Sequence, residues 1–193
     1  MDIKNRAAQE SEVEFGSYAE RLGEVLHGRD WSDVGRLADA LEVVWTDGRQ
    51  CFLCGNGGSA GNAIHLANDF LYGIGGGVRT GIKVEALPAN SAVITCLAND
   101  VGYSDIFGLQ LEAKAQSGDL LIALTGSGNS PNIIKALEAG RNIGMITCAI
   151  TGLSGGQVQT MADISIHFPG VDMQLAEDLQ LIVGHMCMQW LMK

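Results

Sequence analysis

His65 and Asp69 lie four residues apart, a spacing that sets an imidazole and a carboxylate on one face of a helix. Such a pair can work as acid and base or bind a divalent metal. The plain alternative is a satisfied histidine on an amphipathic helix. Four histidines occur, at 27, 65, 167 and 185. Glu177, Asp178 and His185 share a stretch near the end of the chain. Glu177 and His185 are separated by about 12 Å of helix rise, too far for both to reach one ion through bonds of about 2 Å. If both serve one site, two copies of the chain contribute. Leu181, Ile182, Val183, Met186, Met188, Trp190, Leu191 and Met192 wrap that helix in apolar side chains. The pattern predicts burial, with a subunit interface as its natural place.

Two loops read as anion cradles. In Gly55-Asn56-Gly57-Gly58-Ser59, three glycines free the backbone N–H groups ahead of a helix whose N-terminus is partly positive. Asn56 and Ser59 add side-chain donors. No lysine follows, so this is not a Walker A loop; a tight strand-to-helix turn is the alternative. Thr125-Gly126-Ser127-Gly128-Asn129-Ser130-Pro131 sets Ser130 at N-cap and Pro131 at N1. Capping needs only Ser130, so Thr125 and Ser127 are left to hold a phosphate without Lys or Arg. Ala98-Asn99-Asp100 is expected in a loop before Gly102, where Asp100 either accepts from sugar hydroxyls or makes an Asx turn.

The elements that would position these groups follow from apolar patterning. Residues 2–47 read as two helices broken near Gly28, with Leu37, Leu41, Val44 and Trp45 on one face of the second. After Gly48, short apolar runs at Cys51–Cys54, Val84–Leu87, Leu120–Leu124, Met145–Ile150 and Ile164–Phe168 alternate with helical stretches, and Met173–Met192 closes the chain as a helix. That alternation predicts an α/β three-layer fold around a parallel sheet, with ligands outside the carboxyl ends of the strands. The expected division is a helical segment over 1–48 and one domain over 49–193.

Composition narrows the classes. Twelve Lys and Arg against 22 Asp and Glu leave a net charge of −10, which argues against nucleic acid as partner. The 26 glycines in 193 residues are about twice the usual ~7%. The stretch Leu179–Met192 is too short and polar to span a bilayer, and no signal peptide is seen. Five scattered cysteines suit reduced thiols in the cytoplasm, and Cys51-x-x-Cys54 reads as buried strand cysteines rather than a redox or metal pair.

Gly55-Asn56-Gly57-Gly58-Ser59, Ala98-Asn99-Asp100, Ser127-Gly128-Asn129-Ser130, Thr151-Gly152-x-x-Gly155-Gly156 and Ala162-Asp163-Ile164 together resemble the SIS (sugar isomerase) domain and, within it, the phosphoheptose isomerase group. The resemblance implies a five-stranded parallel sheet of flavodoxin-like order and a homotetramer with active sites between subunits. It implies that Thr125, Gly126, Ser127, Asn129 and Ser130 hold the phosphate. Asn56, Gly57, Gly58, Ser59 and Asp100 would then meet the sugar, with Asp69 and His185 as acid and base. Zinc in some members falls on positions matching His65, Asp69, Glu177 and His185. Four positions depart from the pattern: Asp69 stands for Glu, Glu177 for Gln, Gly126 for a hydroxyl residue and Gln180 for His. The activity so implied is an aldose–ketose isomerisation, through an enediol, of sedoheptulose 7-phosphate to D-glycero-D-manno-heptose 7-phosphate. The alternatives are another keto- or amino-sugar phosphate, or a non-catalytic SIS-domain binding protein.

Overall fold

The computed structural model describes residues 3–75 and 80–193, with side chains from residue 14 onward. Two compact units divide between Trp31 and Ser32. The first holds α1 (Ile3–His27), closed by a bond from Gly28 N to the Glu24 carbonyl at 3.2 Å. The second begins with α2 (Ser32–Thr46), which thus lies in the unit that contains the sheet, upstream of the expected boundary at 48. On α2, Leu37, Leu41 and Val44 are buried as expected, while Trp45 is half-buried and donates its indole N–H to the Thr80 carbonyl at 2.9 Å.

From there strands and helices alternate: β1 (Gln50–Gly55), α3 (Gly58–Leu71), β2 (Lys83–Ala86), α4 (Ser91–Asp100), α5 (Gly108–Lys114), β3 (Leu120–Thr125), α6 (Pro131–Ile143), β4 (Ile146–Thr151), α7 (Val158–Met161), β5 (Ile164–His167) and α8 (Met173–Leu191). The five strands are all parallel, in the order β2-β1-β3-β4-β5. Every residue of β3 is buried, as a central strand covered on both faces requires. Helices α2, α3 and α8 pack together, and α5, α6 and α7 form the other layer. Phe52 and Cys54 point into the core under α5 and α6, so Cys51 faces the opposite layer. Burial pushes the Cys54 thiol up to about 12 and the Cys51 thiol upward as well, so both stay protonated. All five cysteines are free.

One expectation needs correction. Asn99 and Asp100 end a helix, α4, rather than lying in a loop. The Asn90 side chain caps it by accepting from Val93 N at 3.2 Å, and Val93, Ile94, Leu97 and Ala98 recur at helical spacing. None of its residues is fully buried, which weakens the contrast between its faces. Helix α8 buries Leu175, Ala176, Leu179, Gln180, Val183, Gly184 and Cys187 and leaves Met186, Trp190 and Met192 exposed in the single chain. No helix among the described residues is long and apolar enough to cross a membrane.

Candidate active site

In the strand order, β1 lies beside β3, and the connection after β1 runs to β2 on one side while that after β3 runs to β4 on the other; such a switch point opens a crevice at the carboxyl edge. Gly55 pairs with Leu124, which puts the loop after β1 beside the loop after β3. Both predicted anion cradles therefore face one crevice. Gly57, at φ +55°, adopts a left-handed conformation that glycine tolerates, and α3 starts directly after it. The serine loop is braced from behind: Gly152 N donates to the Gly126 carbonyl at 3.1 Å, and Val158 N to the Gly128 carbonyl at 3.2 Å. Gln157 N donates to Asn129 Oδ1 at 3.1 Å, and Asn129 Nδ2 to the Ser127 carbonyl at 3.2 Å, so the Asn129 amide shapes the loop. At Gly126 a Cβ would strike the Met173 sulfur, so a larger residue there would require the Met173 side chain to move.

The hydroxyls of this loop have hydrogens to give. Thr125 Oγ1 accepts from Gly128 N at 3.2 Å, and Ser127 Oγ from Asn129 N at 3.4 Å. A hydroxyl that accepts from a backbone N–H keeps its own O–H for another partner. Ser130 occupies the N-cap position of α6, with Pro131 following, yet its side chain makes no capping bond.

A second cluster lies on the seam between α3 and α8. These helices run alongside in the same sense: Gly58 meets Glu177, Leu66 meets Gly184, and Gly73 meets Met188. The seam brings His185 to the His65/Asp69 pair. Asp69 Oδ2 is 3.3 Å from His65 Nε2 and 3.3 Å from His185 Nε2, and the two imidazole nitrogens are 3.1 Å apart. The rings are inclined at 72°, with both nitrogens converging on one point. Asn68 Nδ2 donates to the other Asp69 oxygen at 3.3 Å. Lone pairs this close repel unless protons or a cation lie between them. Zinc bonds of about 2.0–2.1 Å in tetrahedral array separate donors by about 3.3 Å, so the three atoms fit a zinc ion with one position open. They are the one such group of three among the described residues. The Asp69 side chain is 16% exposed, and those of His65 and His185 are 49% and 45% exposed.

Glu177 does not join this cluster within one chain. Its carboxylate lies against Gly58, where a Cβ would meet both oxygens, at the start of α3. The separation from His185 expected from helix rise is thus retained, while His65, Asp69 and His185 assemble without a second copy. Asp100 stands apart as well, exposed at the end of α4. Hydrogen bonds from the Asn99 amide and the Cys96 thiol hold its carboxyl below the usual range.

Asn132, Tyr103 and Asn62 escaped the sequence analysis. Asn132, buried on the first turn of α6, exchanges hydrogen bonds with Asn56. Tyr103 donates its hydroxyl to Asn56 Oδ1 at 2.9 Å. Asn62 Nδ2 donates to the Glu177 carbonyl at 2.9 Å and to Gln180 Oε1 at 3.0 Å, tying α3 to α8. Asn132 follows the Ser130-Pro131 start signal by one residue, the only hint available in the sequence.

A family model described as the SIS domain matches residues 14–152. Phosphoheptose isomerase of Chlorobaculum parvum is 33% identical over 174 residues, 89% of this chain and 83% of the relative. That of Aliarcobacter butzleri is 38% identical over 172 residues, 89% of this chain and 90% of the relative. The structure of a phosphoheptose isomerase from Francisella tularensis superposes with a TM-score of 0.88 at 27% identity, covering 94% of this chain and 97% of that one.

Proposed function

The chain belongs to the SIS-domain family and, within it, to the phosphoheptose isomerases, and from its site we propose that it interconverts sedoheptulose 7-phosphate and D-glycero-D-manno-heptose 7-phosphate. The observation that carries this reading is the convergence of His65, Asp69 and His185 at the helix that leaves the glycine loop. The Thr125, Ser127 and Ser130 hydroxyls donate to the phosphate, aided by the N-terminus of α6. Asn56, Gly57, Gly58 and Ser59 line the sugar side; Asp100, exposed at the end of α4, is assigned to it by the family resemblance alone. Asp69 and His185 act as the acid/base pair. One takes a proton from C1 of the ketose while O2 gains a proton, giving the enediol. Protonation at C2 and loss of the O1 proton then yield the aldose. His65, Asp69 and His185 would hold a zinc ion, which supplies Lewis-acid polarisation of a carbonyl when bound.

The reading includes a homotetramer with sites between copies. Met186, Trp190 and Met192 on α8 are apolar and exposed, as a surface covered by another copy would be in the isolated chain. His65 lies about 10 Å along α3 from its own glycine loop, and both imidazoles face outward, where a neighbouring chain can complete the site. The free thiols support a reducing, cytoplasmic setting.

Incubation of purified protein with sedoheptulose 7-phosphate, with and without zinc, tests the activity by aldose formation. Turnover should fall by about 100-fold or more in Asp69→Asn and His185→Ala; full activity in both would remove these residues from the reaction. A solution mass of four chains of 20.4 kDa is expected, and a monomer that turns over substrate would overturn the shared site.

A further inference from the structure

Asn56 is the point where the two loops are joined, and its amide is held on three sides. Its Oδ1 accepts from Asn132 Nδ2 at 2.7 Å and from Tyr103 Oη at 2.9 Å, while its Nδ2 donates to Asn132 Oδ1 at 2.9 Å. An amide oxygen has two lone pairs and an amide nitrogen two hydrogens. Both lone pairs and one hydrogen are therefore spent inside the protein, and one N–H is left for a ligand.

The partners are themselves fixed. Asn132 is 1% exposed and sits on the first turn of α6, just after the serine loop. One turn further along α6, Lys135 Nζ is 2.7 Å from Asp105 Oδ1 and 3.1 Å from Ser104 Oγ. That contact pins the short 3-10 turn Tyr103–Asp105 to the same helix that carries Asn132. Ion pairing with Lys135 and the Ser104 hydroxyl keep the Asp105 carboxyl below the usual range, so the pin holds across neutral pH.

We infer that Asn132 and Tyr103 are positioning residues that make Asn56 a donor only, aimed at an oxygen acceptor of the substrate. The deduction rests on the isomerase reading above and deepens it. A carbonyl or enediolate oxygen accepts from that N–H, and the bond strengthens as negative charge develops on the oxygen. A substrate group that needs an acceptor finds none at Asn56. Asn132 also couples the sugar end of the crevice to the phosphate end, because it belongs to the helix that starts at Ser130.

Steady-state kinetics of Asn56→Ala, Asn132→Ala, the double variant and Tyr103→Phe test the inference. Asn132→Ala should lower kcat about 10–100-fold with KM within about threefold, since removal of one donor to a developing oxyanion costs about 100–1,000-fold when direct. The double variant should be no slower than Asn56→Ala alone, within about twofold, because Asn132 acts through Asn56. Losses that multiply would reduce Asn132 to a structural residue and overturn the inference. Tyr103→Phe changes a side chain on a residue that is 56% exposed, so it folds, and it should lower kcat about three- to tenfold. Unchanged kinetics there would overturn the part assigned to Tyr103.

A second measurement does not depend on turnover. Hydrogen exchange of the Asn56 side-chain amide, followed by NMR in the free protein, should show one hydrogen exchanging about tenfold more slowly than the other, and equal rates in Asn132→Ala. Two equally protected hydrogens in the wild type would mean that both amides are turned round, with the Asn56 oxygen facing the crevice, and would overturn the donor assignment. If the wild type converts no sugar phosphate, the isomerase reading fails, and the exchange result still decides the orientation of Asn56.

Discussion

The crevice between β1 and β3 and the seam between α3 and α8 are both built from loops and helices of one sheet, yet they are held in different ways. In the crevice, backbone N–H groups and the paired amides of Asn56 and Asn132 fix Thr125, Ser127, Asn129 and Asn56 before a ligand arrives. On the seam, three side chains meet at 3.1–3.3 Å with two of them nearly half exposed. The first is an arrangement for binding, since rigid donors lose little entropy when an anion enters. The second keeps its charge partners open to substrate, proton or cation, as acid/base work demands. On the proposed reading the acid/base pair lies beyond His65, which is itself about 10 Å along α3 from the glycine loop.

That separation sets the order of effects. Asp69→Asn and His185→Ala should lower kcat by about 100–10,000-fold with KM changed by about threefold or less, as steady-state kinetics will show. Gly184→Val should act on the same groups from a distance. A Cβ at Gly184 runs into Leu66, so α3 and α8 must part, with about 1–3 kcal/mol lost in denaturant unfolding and a matching loss of zinc binding. By calorimetry, His65→Ala should weaken zinc at least about tenfold, whereas Glu177→Gln, against Gly58 and away from the donors, should leave affinity within about threefold.

Changes in the serine loop should be smaller and fall on KM. Ser130→Ala removes a hydroxyl that makes no capping bond, so KM should rise about three- to thirtyfold while stability stays within about 0.5 kcal/mol; an ordinary N-cap would cost about 1 kcal/mol. The smallest effect concerns the thiols. Iodoacetamide at neutral pH, read by mass spectrometry, should modify Cys96 and spare Cys51, Cys54, Cys148 and Cys187, which are buried, with burial holding their thiols protonated.

The two regions also differed in how far they could be read from residues alone. The crevice announced itself, because glycines, serines and a Ser-Pro helix start are local signals. The i, i+4 pair His65/Asp69 was equally local. The arrival of His185 was visible only through the family resemblance, since it depends on α3 and α8 packing side by side through Gly58, Gly184 and Gly73. Asn132 and Tyr103 were missed for the same reason: their partner Asn56 is 76 and 47 residues away. The helix α4 was missed although its cap and spacing were local, because its apolar face is only half covered and blends into the loop signals around it. The alternation of strands and helices, by contrast, was carried by buried runs such as Leu120–Thr125, and the fold followed.

Incorporation of solvent deuterium into the sugar during turnover in D2O bears most directly on proton transfer at the seam. The wild type should place deuterium on carbon in sedoheptulose 7-phosphate or its aldose, and Asp69→Asn and His185→Ala, still folded and still binding phosphate, should place none above background. Undiminished labelling by both variants would show that the proton moves elsewhere and that the cluster of His65, Asp69 and His185 is not where the reaction occurs.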